Sequence, residues 1–362
     1  MTVSEPQTHV FAMRMWKSLL ATQELLSAYL GVKLGLYEAL AAAPGPMTPD
    51  ELARAADVAP RYAREWLEQQ AVCGIVETDD VRAPADRRAY RLPAGHAAVL
   101  TVSDDPMSLA SLAVLPLGGV AAALPELVAA YRSGAGVPDD VFGVDWRDGH
   151  SGANRALFAH QLAGWIAEQL PDVHARLGTP GRRIADVACG TGWSSIALAR
   201  AYPHAEVTGL DLDGAALRQA ERHAADAGVA DRVRFACRDA ADPQLAGGYD
   251  LVCLFDALHE VSQPVAVLRA CRQLRAADGA VLVMDAKVAP AFTAPGDDVE
   301  RFQYGTSVLH CLPASRTGED STGTGTVLRP GMVRELATRA GFSGMTILAV
   351  TDRFHRLYRL TG

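Results

Sequence analysis

Apolar and polar positions change their period along the chain, and this change divides it into two parts. Over residues 11–43 apolar side chains recur at helical spacings and stop at a Pro-Gly-Pro turn, which predicts one or two helices. From residue 183 onward short apolar runs alternate with helical patterns, which is typical of a parallel sheet with right-handed crossovers. These runs lie at residues 184–187, 205–210, 233–236, 249–255 and 280–285, and runs at 346–350 and 356–360 predict a closing hairpin. The pattern therefore predicts an α/β region with a seven-stranded, mostly parallel sheet and an antiparallel last strand.

The stretch between residues 44 and 105 predicts a small helical domain with a two-stranded wing. Thr48 followed by Glu51 is the sequence of a capping box at a helix start. A second helix is predicted from Pro60, with Trp66 and Leu67 on its apolar face. Short β-forming runs at residues 75–76 and 90–92 predict the wing. This order of elements is that of a winged helix-turn-helix.

Residues 106–178 are predicted to be mostly helical, with a polar loop at 132–152 and a helix at 153–170. The uncharged run at residues 107–125 is nearly long enough to cross a membrane. Prolines and glycines interrupt this run, however, and no basic residue anchors it. We therefore predict two buried helices with a break near Pro116. Three regions follow: a winged-helix domain at 1–105, a helical connector at 106–180 and a nucleotide-binding domain at 181–362.

Residues 183–211 contain the clearest chemical pattern. The turn after the first strand reads D-x-A-x-G-x-G from Asp186 to Gly192, and the second strand ends in Asp211. Small residues let the backbone approach a ligand, and the following helix directs N–H groups toward it. An acid at the next strand end can accept two hydrogen bonds from a ribose diol. The spacing is not that of a dinucleotide fingerprint or a P-loop, and a carboxylate at Asp186 suits an ammonium group better than a pyrophosphate.

This stretch resembles motif I of the class I S-adenosylmethionine methyltransferases, D/E-x-G-x-G-x-G, with Ala188 in place of the first glycine. The resemblance implies S-adenosylmethionine as the cofactor and a Rossmann-like methyltransferase domain. It also implies roles for residues at successive strand ends: Gly190 and Gly192 beside the methionine part and the sugar, Asp211 at the ribose hydroxyls, Leu212 beside the adenine, and Asp239 with the adjacent Ala240 at the adenine amino group. Asp186 and Phe255, at the ends of the first and fourth strands, complete the predicted cofactor set.

With the winged domain included, nearly the whole chain resembles the small-molecule O-methyltransferases of plant and bacterial secondary metabolism. In that family the N-terminal domain forms a homodimer and helps to roof the active site. The family's fourth strand is followed by L-H-D-W, whose histidine is the general base, and here the segment reads L-H-E-V with His259 at that position. Asp285 matches the acid that orients the base. Glu260, Val261 and the replacement of a family lysine by Phe255 move the segment toward a broader methyltransferase group in which this histidine is structural, so both readings stay open.

His310, in the sequence LHCLP, competes with His259 for the role of base. It lies in the irregular region 287–327, which we expect to fold over the substrate as a lid. Asn154, Phe158 and Phe302 are further substrate-contact candidates, against the alternatives of a helix cap and core packing. We predict no metal, because the strand-end acids are assigned to the cofactor and no His/Asp cluster remains at ligand spacing.

Charge argues against nucleic acid as the main partner. The net charge is −8, and residues 1–100 contain ten Lys and Arg against twelve Asp and Glu. A DNA reader must neutralise phosphates before it reads bases. The six cysteines show no metal or disulfide spacing, and MTVSEPQTHV is not a secretory signal, so we expect reduced thiols in a cytoplasmic protein without membrane attachment.

These observations together predict a cytoplasmic, homodimeric and metal-independent methyltransferase of secondary metabolism. The expected acceptor is a hydroxyl oxygen on an aromatic or polyketide-like small molecule. Two alternatives remain open at this point: a winged-helix transcriptional regulator with a domain that senses S-adenosylmethionine, and an N- or C-methyltransferase on the same fold.

Overall fold

The computed structural model describes residues 5–239, 242, 247–318 and 320–362. The chain divides into two compact units. The first contains residues 1–121 and 144–156, and the second contains residues 122–143 and 157–362. The predicted domain limits at 105 and 180 stay predictions.

The first unit contains the predicted winged helix-turn-helix. Its elements are α1 (Glu5–Lys33), α2 (Leu36–Ala42), α3 (Pro49–Ala55), α4 (Pro60–Val72), β1 (Glu77–Thr78), β2 (Tyr90–Arg91), α5 (Ala94–Thr101), α6 (Ala110–Val114) and a π-helical turn at Leu115–Val120. The capping box forms, because the Thr48 backbone N–H and hydroxyl donate to Glu51 Oε2 at 2.7 and 2.8 Å. Buried Leu52, Trp66 and Leu67 belong to the core under α3 and α4.

The wing begins two residues later than predicted. β1 pairs antiparallel with β2, and Glu77 stands opposite Arg91. Residues 75 and 76 are not strand, because their backbone N–H groups both donate to the Gln70 carbonyl and so close the end of α4. Val76 is buried in the core. Its apolar character reflects this packing and not a place in the wing.

Residues 110–177 are more continuously helical than predicted. The elements are α6, the π-helical turn, α7 (Ala121–Ser133), α8 (Asp139–Ala153), α9 (Arg155–Leu157), a second π-helical turn at Phe158–Leu162, α10 (Ala163–Gln169) and α11 (Pro171–Leu177). The expected polar loop at 132–152 is therefore wrong over most of its length. Gly143 interrupts α8 with φ 77, and the aromatic residues on either side, Phe142 and Trp146, are buried.

The predicted break near Pro116 is a π-helical turn, so residues 110–133 form one helical run. By length and composition alone, this run is the one described helix that could cross a membrane by itself, and about a third of its most apolar window is buried. A bent pair, residues 6–33 with Leu36–Ala42, meets the same criteria together. One or two helices that meet these criteria also occur in the cores of proteins that do not cross a membrane.

The second unit contains the predicted seven-stranded sheet. Its strands are β3 (Arg182–Val187), β4 (Ala205–Asp211), β5 (Val233–Cys237), β6 (Tyr249–Phe255), β7 (Arg275–Ala286), β8 (Gly344–Ile347) and β9 (His355–Thr361). The strand order is β5-β4-β3-β6-β7-β9-β8. β9 runs antiparallel to both β7 and β8, and the described pairs from β5 to β7 are parallel. The predicted fold class is confirmed.

Helices cover both faces of this sheet. The second unit contains α12 (Trp193–Ala201), α13 (Gly214–Asp226), α14 (Pro264–Leu274), α15 (Asp298–Thr306), α16 (Leu312–Ser315) and α17 (Pro330–Arg339), with a third π-helical turn at Ser307–Cys311. Of these, α12 and α13 contribute to one core of the sheet and α14 and α17 to the other. Neighbouring residues of a strand enter different cores: Leu251 and Cys253 belong to one, Val252 and Leu254 to the other. This alternation follows from the two-residue period of a strand. Burial on both faces explains why β6 is an almost continuous apolar run.

The sheet contains one point where the strand order reverses. β3 pairs with β4 on one side and with β6 on the other. In open α/β sheets ligands bind beyond the carboxyl ends of the strands at such a point. Asp186 lies at the end of β3 and Phe255 at the end of β6, so the topology places the glycine-rich turn at this crevice.

Candidate functional site

The turn after β3 has three residues with positive φ. They are Ala188 at 55°, Gly190 at 52° and Gly192 at 86°. Glycine adopts this region freely, whereas alanine does so at a cost of about 1–2 kcal/mol. A methyl group at Gly190 would contact no described atom within 4 Å, whereas at Gly192 it would lie 2.8 Å from Phe235 Cζ. Open space therefore lies beside Gly190, and close packing requires a glycine at position 192.

Asp186 is a buried carboxylate at the base of this turn. It is 1% exposed, and its Oδ2 accepts hydrogen bonds from the Ser194 and Ser195 hydroxyls, both at 2.6 Å. Oδ1 is buried and has no hydrogen-bond partner among the described residues. Burial raises the pKa of Asp186 to about 6; the two serine hydroxyls lower it, and the charge of Asp211 adds to the rise. The carboxylate thus has one oxygen held in place and one buried oxygen without a described partner.

Asp211, at the end of β4, is tied to the same turn. Its Oδ2 accepts from the Gly190 backbone N–H at 2.7 Å, and its Oδ1 accepts from the Asp213 N–H at 2.9 Å. Burial raises its pKa, although these backbone hydrogen bonds lower it. Each carboxylate oxygen has a second lone pair, so Asp211 can also accept two hydrogen bonds from a diol.

The other predicted cofactor residues lie at the same strand ends with varied exposure. Leu212 follows Asp211 and is 67% exposed, which leaves its side chain available to a flat apolar ring. Asp239 is exposed two residues beyond the end of β5. Phe255 is buried at the end of β6. Ala240 lies outside the described residues.

His259 and Asp285 form the pair that the sequence predicts. His259 Nδ1 lies 2.9 Å from Asp285 Oδ1, and both side chains are almost fully buried. Asp285 Oδ1 also accepts from the Ala286 N–H at 2.7 Å, which fixes the carboxylate. Burial opposes the charged imidazolium, but the Asp285 carboxylate outweighs this effect and holds the pKa of His259 well above its usual range.

The other nitrogen of His259 faces a second polar group. His259 Nε2 is 3.6 Å from Glu260 Oε1, and Glu260 Oε1 also accepts from the Cys311 thiol at 3.0 Å. His310 Nδ1 lies 3.3 Å from the same oxygen, and His310 Nε2 lies 3.2 Å from Asp139 Oδ1. The two histidines that compete for the role of base therefore meet at one carboxylate. Burial opposes the charged form of His310, but its contact with Asp139 and the neighbouring groups raises its pKa well above the usual value.

The predicted substrate residues lie on different segments of the chain. Phe158 is buried in the second π-helical turn, with its ring centroid 5.7 Å from that of Phe255. Phe302, on α15, is 47% exposed and packs on Phe354 at 5.7 Å. Asn154 belongs to the first unit. The structure therefore joins Phe158 to the predicted cofactor residue Phe255, and the roles of Phe302 and Asn154 stay predictions.

Some residues of this region were not predicted from the sequence. Ser194 and Ser195 hold Asp186 at the start of α12, and their signal is a pair of hydroxyls eight and nine positions after the acid. Trp193 stacks on His223 with centroids 4.2 Å apart, and His223 Nδ1 lies 3.0 Å from the Thr191 carbonyl oxygen. Cys311 was expected only to be one of six reduced thiols, although its neighbour His310 was a candidate for the base.

Two family models match parts of the chain. Residues 184–279 match a methyltransferase domain, and residues 22–102 match the Rv2258c-like winged helix-turn-helix domain. A ubiquinone biosynthesis O-methyltransferase of Ralstonia nicotianae is 39% identical over 94 residues, which are 26% of this chain and 39% of the relative. The chain therefore spans about two fifths of the length of that curated relative.

Solved structures match the chain over nearly its full length. The mitomycin 7-O-methyltransferase is 19% identical with a TM-score of 0.71, and the match covers 98% of this chain and 99% of that one. Human N-acetylserotonin methyltransferase, solved in complex with S-adenosylmethionine, is 16% identical with a TM-score of 0.72 over 100% and 99% of the two chains. At these identities the likeness concerns the fold alone. The chain thus joins a methyltransferase domain to an Rv2258c-like winged helix-turn-helix domain, on the fold of the class I methyltransferases that use S-adenosylmethionine.

Proposed function

We propose that this protein transfers a methyl group from S-adenosylmethionine to a small-molecule acceptor, with a hydroxyl oxygen as the accepting atom. The cofactor, when bound, supplies a methyl group already activated on a sulfonium. The protein therefore has to align the acceptor, which can contribute up to about 7–11 kcal/mol, and has to remove a proton from it.

The observation that carries this proposal is the unpartnered oxygen of Asp186, at the base of the turn in which Gly190 has open space beside it. A buried carboxylate oxygen without a hydrogen bond costs free energy unless a ligand pairs with it. The ammonium group of an amino-acid ligand is a suitable partner. Gly190 would leave room for the methionine part, and the packed Gly192 keeps the turn in place for the sugar.

The remaining contacts follow the strand ends. Asp211 would accept hydrogen bonds from the ribose hydroxyls, and its bond to the Gly190 N–H couples this contact to the turn. Exposed Leu212 would lie beside the adenine, and Asp239 with the adjacent Ala240 would bind the adenine amino group. The residues present thus fit a nucleoside with an amino-acid tail.

His259 is our proposed base for the acceptor hydroxyl. Asp285 holds Nδ1 of the imidazole at 2.9 Å, so Nε2 is the nitrogen that would accept the proton. Because the pKa of His259 is raised, the neutral form that acts as base is populated at higher pH than for an ordinary histidine, and the rate should increase with pH. A positioned base of this kind raises the reaction rate about 10²–10⁴-fold. Nitrogen acceptors are the alternative on the same fold, and a competition between hydroxyl and amine acceptors would distinguish the two.

The winged domain is proposed as a dimerisation domain and not as a DNA reader. On the candidate recognition helix Arg61 pairs with Glu65, and in the wing Arg91 pairs with Glu77. These acids offset the charges that would neutralise phosphates. The proposed assembly is a homodimer in the cytoplasm, with a place in secondary metabolism. A gel-shift experiment on DNA at physiological salt tests this assignment. Binding of the DNA by micromolar protein would show that the winged domain is a DNA reader.

Calorimetric titration with S-adenosylmethionine tests the cofactor site. We expect the wild type to bind one equivalent per chain, and Asp211→Ala to lose at least about tenfold in affinity, because hydrogen bonds to a carboxylate are worth about 1.5–3 kcal/mol. Asp211→Asn keeps an acceptor for the Gly190 N–H and so separates cofactor contact from turn geometry. Glu206→Ala, at an exposed acid of the same strand, is the matched control and should bind normally. Absence of binding by the wild type would refute the proposal.

A further inference from the structure

The strongest unassigned feature is the buried group of nitrogen, sulfur and oxygen atoms around Glu260. His259, His310 and Cys311 are 1–2% exposed. Ligand atoms of His259, Glu260 and Cys311 all lie within 4.8 Å of one another. His310 Nδ1 approaches the same carboxylate oxygen, Glu260 Oε1, at 3.3 Å. Two imidazoles, one thiol and one carboxylate thus converge in the second unit.

The separations fit the edges of a metal tetrahedron. Zinc bonds to N, O and S of about 2.0–2.3 Å imply ligand–ligand edges of about 3.3–3.6 Å in a tetrahedral site. The observed distances from Glu260 Oε1 are 3.6 Å to His259 Nε2, 3.3 Å to His310 Nδ1 and 3.0 Å to Cys311 Sγ. A shift of a few tenths of an ångström, mainly at the thiol, would bring these three edges to the expected length. His310 does not belong to the group whose ligand atoms all lie within 4.8 Å of one another, so its ring has to move further to complete the tetrahedron.

Both histidines have the outer contacts that metal-bound imidazoles usually have. His259 Nδ1 lies 2.9 Å from Asp285 Oδ1, and His310 Nε2 lies 3.2 Å from Asp139 Oδ1. A carboxylate on the far nitrogen fixes the tautomer and directs the near nitrogen toward the metal. Here this pattern occurs twice, and both near nitrogens point to Glu260.

The local backbone also favours convergence. His310 and Cys311 are consecutive residues of the π-helical turn Ser307–Cys311. π-helical turns are rare and frequently mark functional sites. The wider turn brings successive side chains closer together on one side of the helix, so that both reach the segment after β6 that contains His259 and Glu260.

We propose that His259, Glu260 and Cys311 bind one zinc ion and that His310, which approaches Glu260 Oε1, completes the site when its ring moves toward the ion. Thiolate and imidazole ligands in a four-coordinate group favour zinc over the hard cations calcium and magnesium, which take six or more oxygens. Four protein ligands form a closed site, which connects the residues after β6 to the third π-helical turn. Zinc at this site occupies His259 Nε2, so the loaded protein lacks the proposed base. This last consequence rests on the proposed function, whereas zinc binding does not.

Zinc binding is tested on the full chain after treatment with a chelator and buffer exchange. Titration with zinc chloride alone, by calorimetry, should show one ion per chain with submicromolar affinity. Cobalt substitution should give the intense visible bands of a tetrahedral ion together with a thiolate charge-transfer band. Cys311→Ser, a nearly isosteric change, should abolish the charge-transfer band and weaken zinc binding by at least about 100-fold. Asp285→Asn, which changes only an outer contact, should weaken it by about 10–100-fold.

Two surface variants serve as controls for adventitious binding. His204→Ala and Cys237→Ser replace exposed residues and should keep the zinc stoichiometry and affinity. Failure of the wild type to bind zinc at micromolar concentration overturns the site, and so does binding that survives both Cys311→Ser and His310→Ala. The same preparations are titrated with S-adenosylmethionine. Cofactor binding without zinc binding refutes the metal site alone, and zinc binding without cofactor binding refutes the proposed function alone.

Discussion

At the scale of single residues, Asp186 carries the most information about the ligand. Its burial and its two serine donors fix one carboxylate oxygen, and the other is buried without a described partner. A pKa raised to about 6 means that ionisation is costly in the ligand-free protein. A cationic ligand group reverses this cost, because an opposite charge nearby favours the carboxylate.

Cofactor affinity should therefore depend on pH through Asp186. The acid is ionised above its pKa of about 6 and neutral below it, so affinity for S-adenosylmethionine should fall as pH decreases through 6, by about tenfold per unit at the lower end. Titration calorimetry between pH 7.5 and 5 measures this. Thermal melting at each pH confirms that the protein stays folded.

Asp186→Asn is the matched variant for this pH dependence. It keeps an acceptor for the two serines but cannot become charged, so we expect affinity about 10- to 100-fold lower at pH 7.5 and little variation with pH. A wild-type profile that stays flat from pH 7.5 to 5 would contradict the pairing of Asp186 with the ammonium group.

His259 makes a separate prediction for turnover. His259→Ala in the zinc-free protein should lower kcat by about 10²–10⁴-fold, because it removes the proposed base. Cofactor affinity should stay near the wild-type value. His174→Ala, at an exposed histidine whose Nδ1 contacts the Tyr202 hydroxyl away from the turn, is the control and should change stability more than kcat. A loss of less than about tenfold for His259→Ala would indicate a structural histidine.

At the scale of elements, we expect the two glycines of the glycine-rich turn to be needed for different reasons. Gly192 is needed for packing, and we propose that Gly190 is needed for cofactor binding. Gly192→Ala should destabilise the protein by about 2–4 kcal/mol, since it combines the cost of a positive φ with a methyl group 2.8 Å from Phe235 Cζ and 2.9 Å from Ala220 Cβ. Gly190→Ala should cost only about 1–2 kcal/mol, from its φ alone. Yet Gly190→Ala should lose the cofactor, because its methyl group enters the open space. Denaturant unfolding and calorimetry measure the two effects.

The opposite order would contradict this account of the turn. If Gly190→Ala bound the cofactor normally, the space beside Gly190 would not be a binding site. Gly181→Ala, which also has a positive φ and no described atom within 4 Å of the added methyl group, controls for backbone strain in a turn outside the motif.

Elements with strong periodicity could be predicted from sequence, and mixed ones could not. The strands β3, β4 and β6 were predicted to within two residues because apolar residues are concentrated in them, and β6 is buried over its whole length. Residues 132–152 were predicted as a loop, since glycines and acids hide the apolar positions of a helix that Gly143 interrupts. Residues 75–76 were predicted as strand, because an apolar pair that packs into a core looks like a short strand.

At the scale of the whole molecule, the sequence could predict a site made from one stretch but not a site made from several. Asp186, Gly190 and Asp211 lie within one βαβ unit, so their proximity follows from the order of elements. Glu260 and Cys311 are far apart in sequence, and nothing in their spacing indicates that Sγ lies 3.0 Å from Oε1. For this reason a metal-ligand cluster could not be predicted from the sequence.

The exposed apolar side chains of α1 predict how the protein assembles. Helix α1 exposes large apolar side chains at many successive positions, among them Phe11 (59%), Trp16 (52%) and Leu19 (48%). A helix that is apolar on several sides is normally buried, and a second copy of the chain is the proposed cover. Burial of each such side chain is worth about 1.5–3 kcal/mol, and in a symmetric dimer each substitution acts twice.

We therefore expect Trp16→Glu combined with Leu19→Glu to weaken the dimer by at least about 1000-fold. Gln23→Glu, an exposed polar position of the same helix, should leave the dimer intact. Light scattering coupled to size-exclusion chromatography measures both variants, and a wild type that is monomeric at micromolar concentration would show that α1 is not a dimer interface.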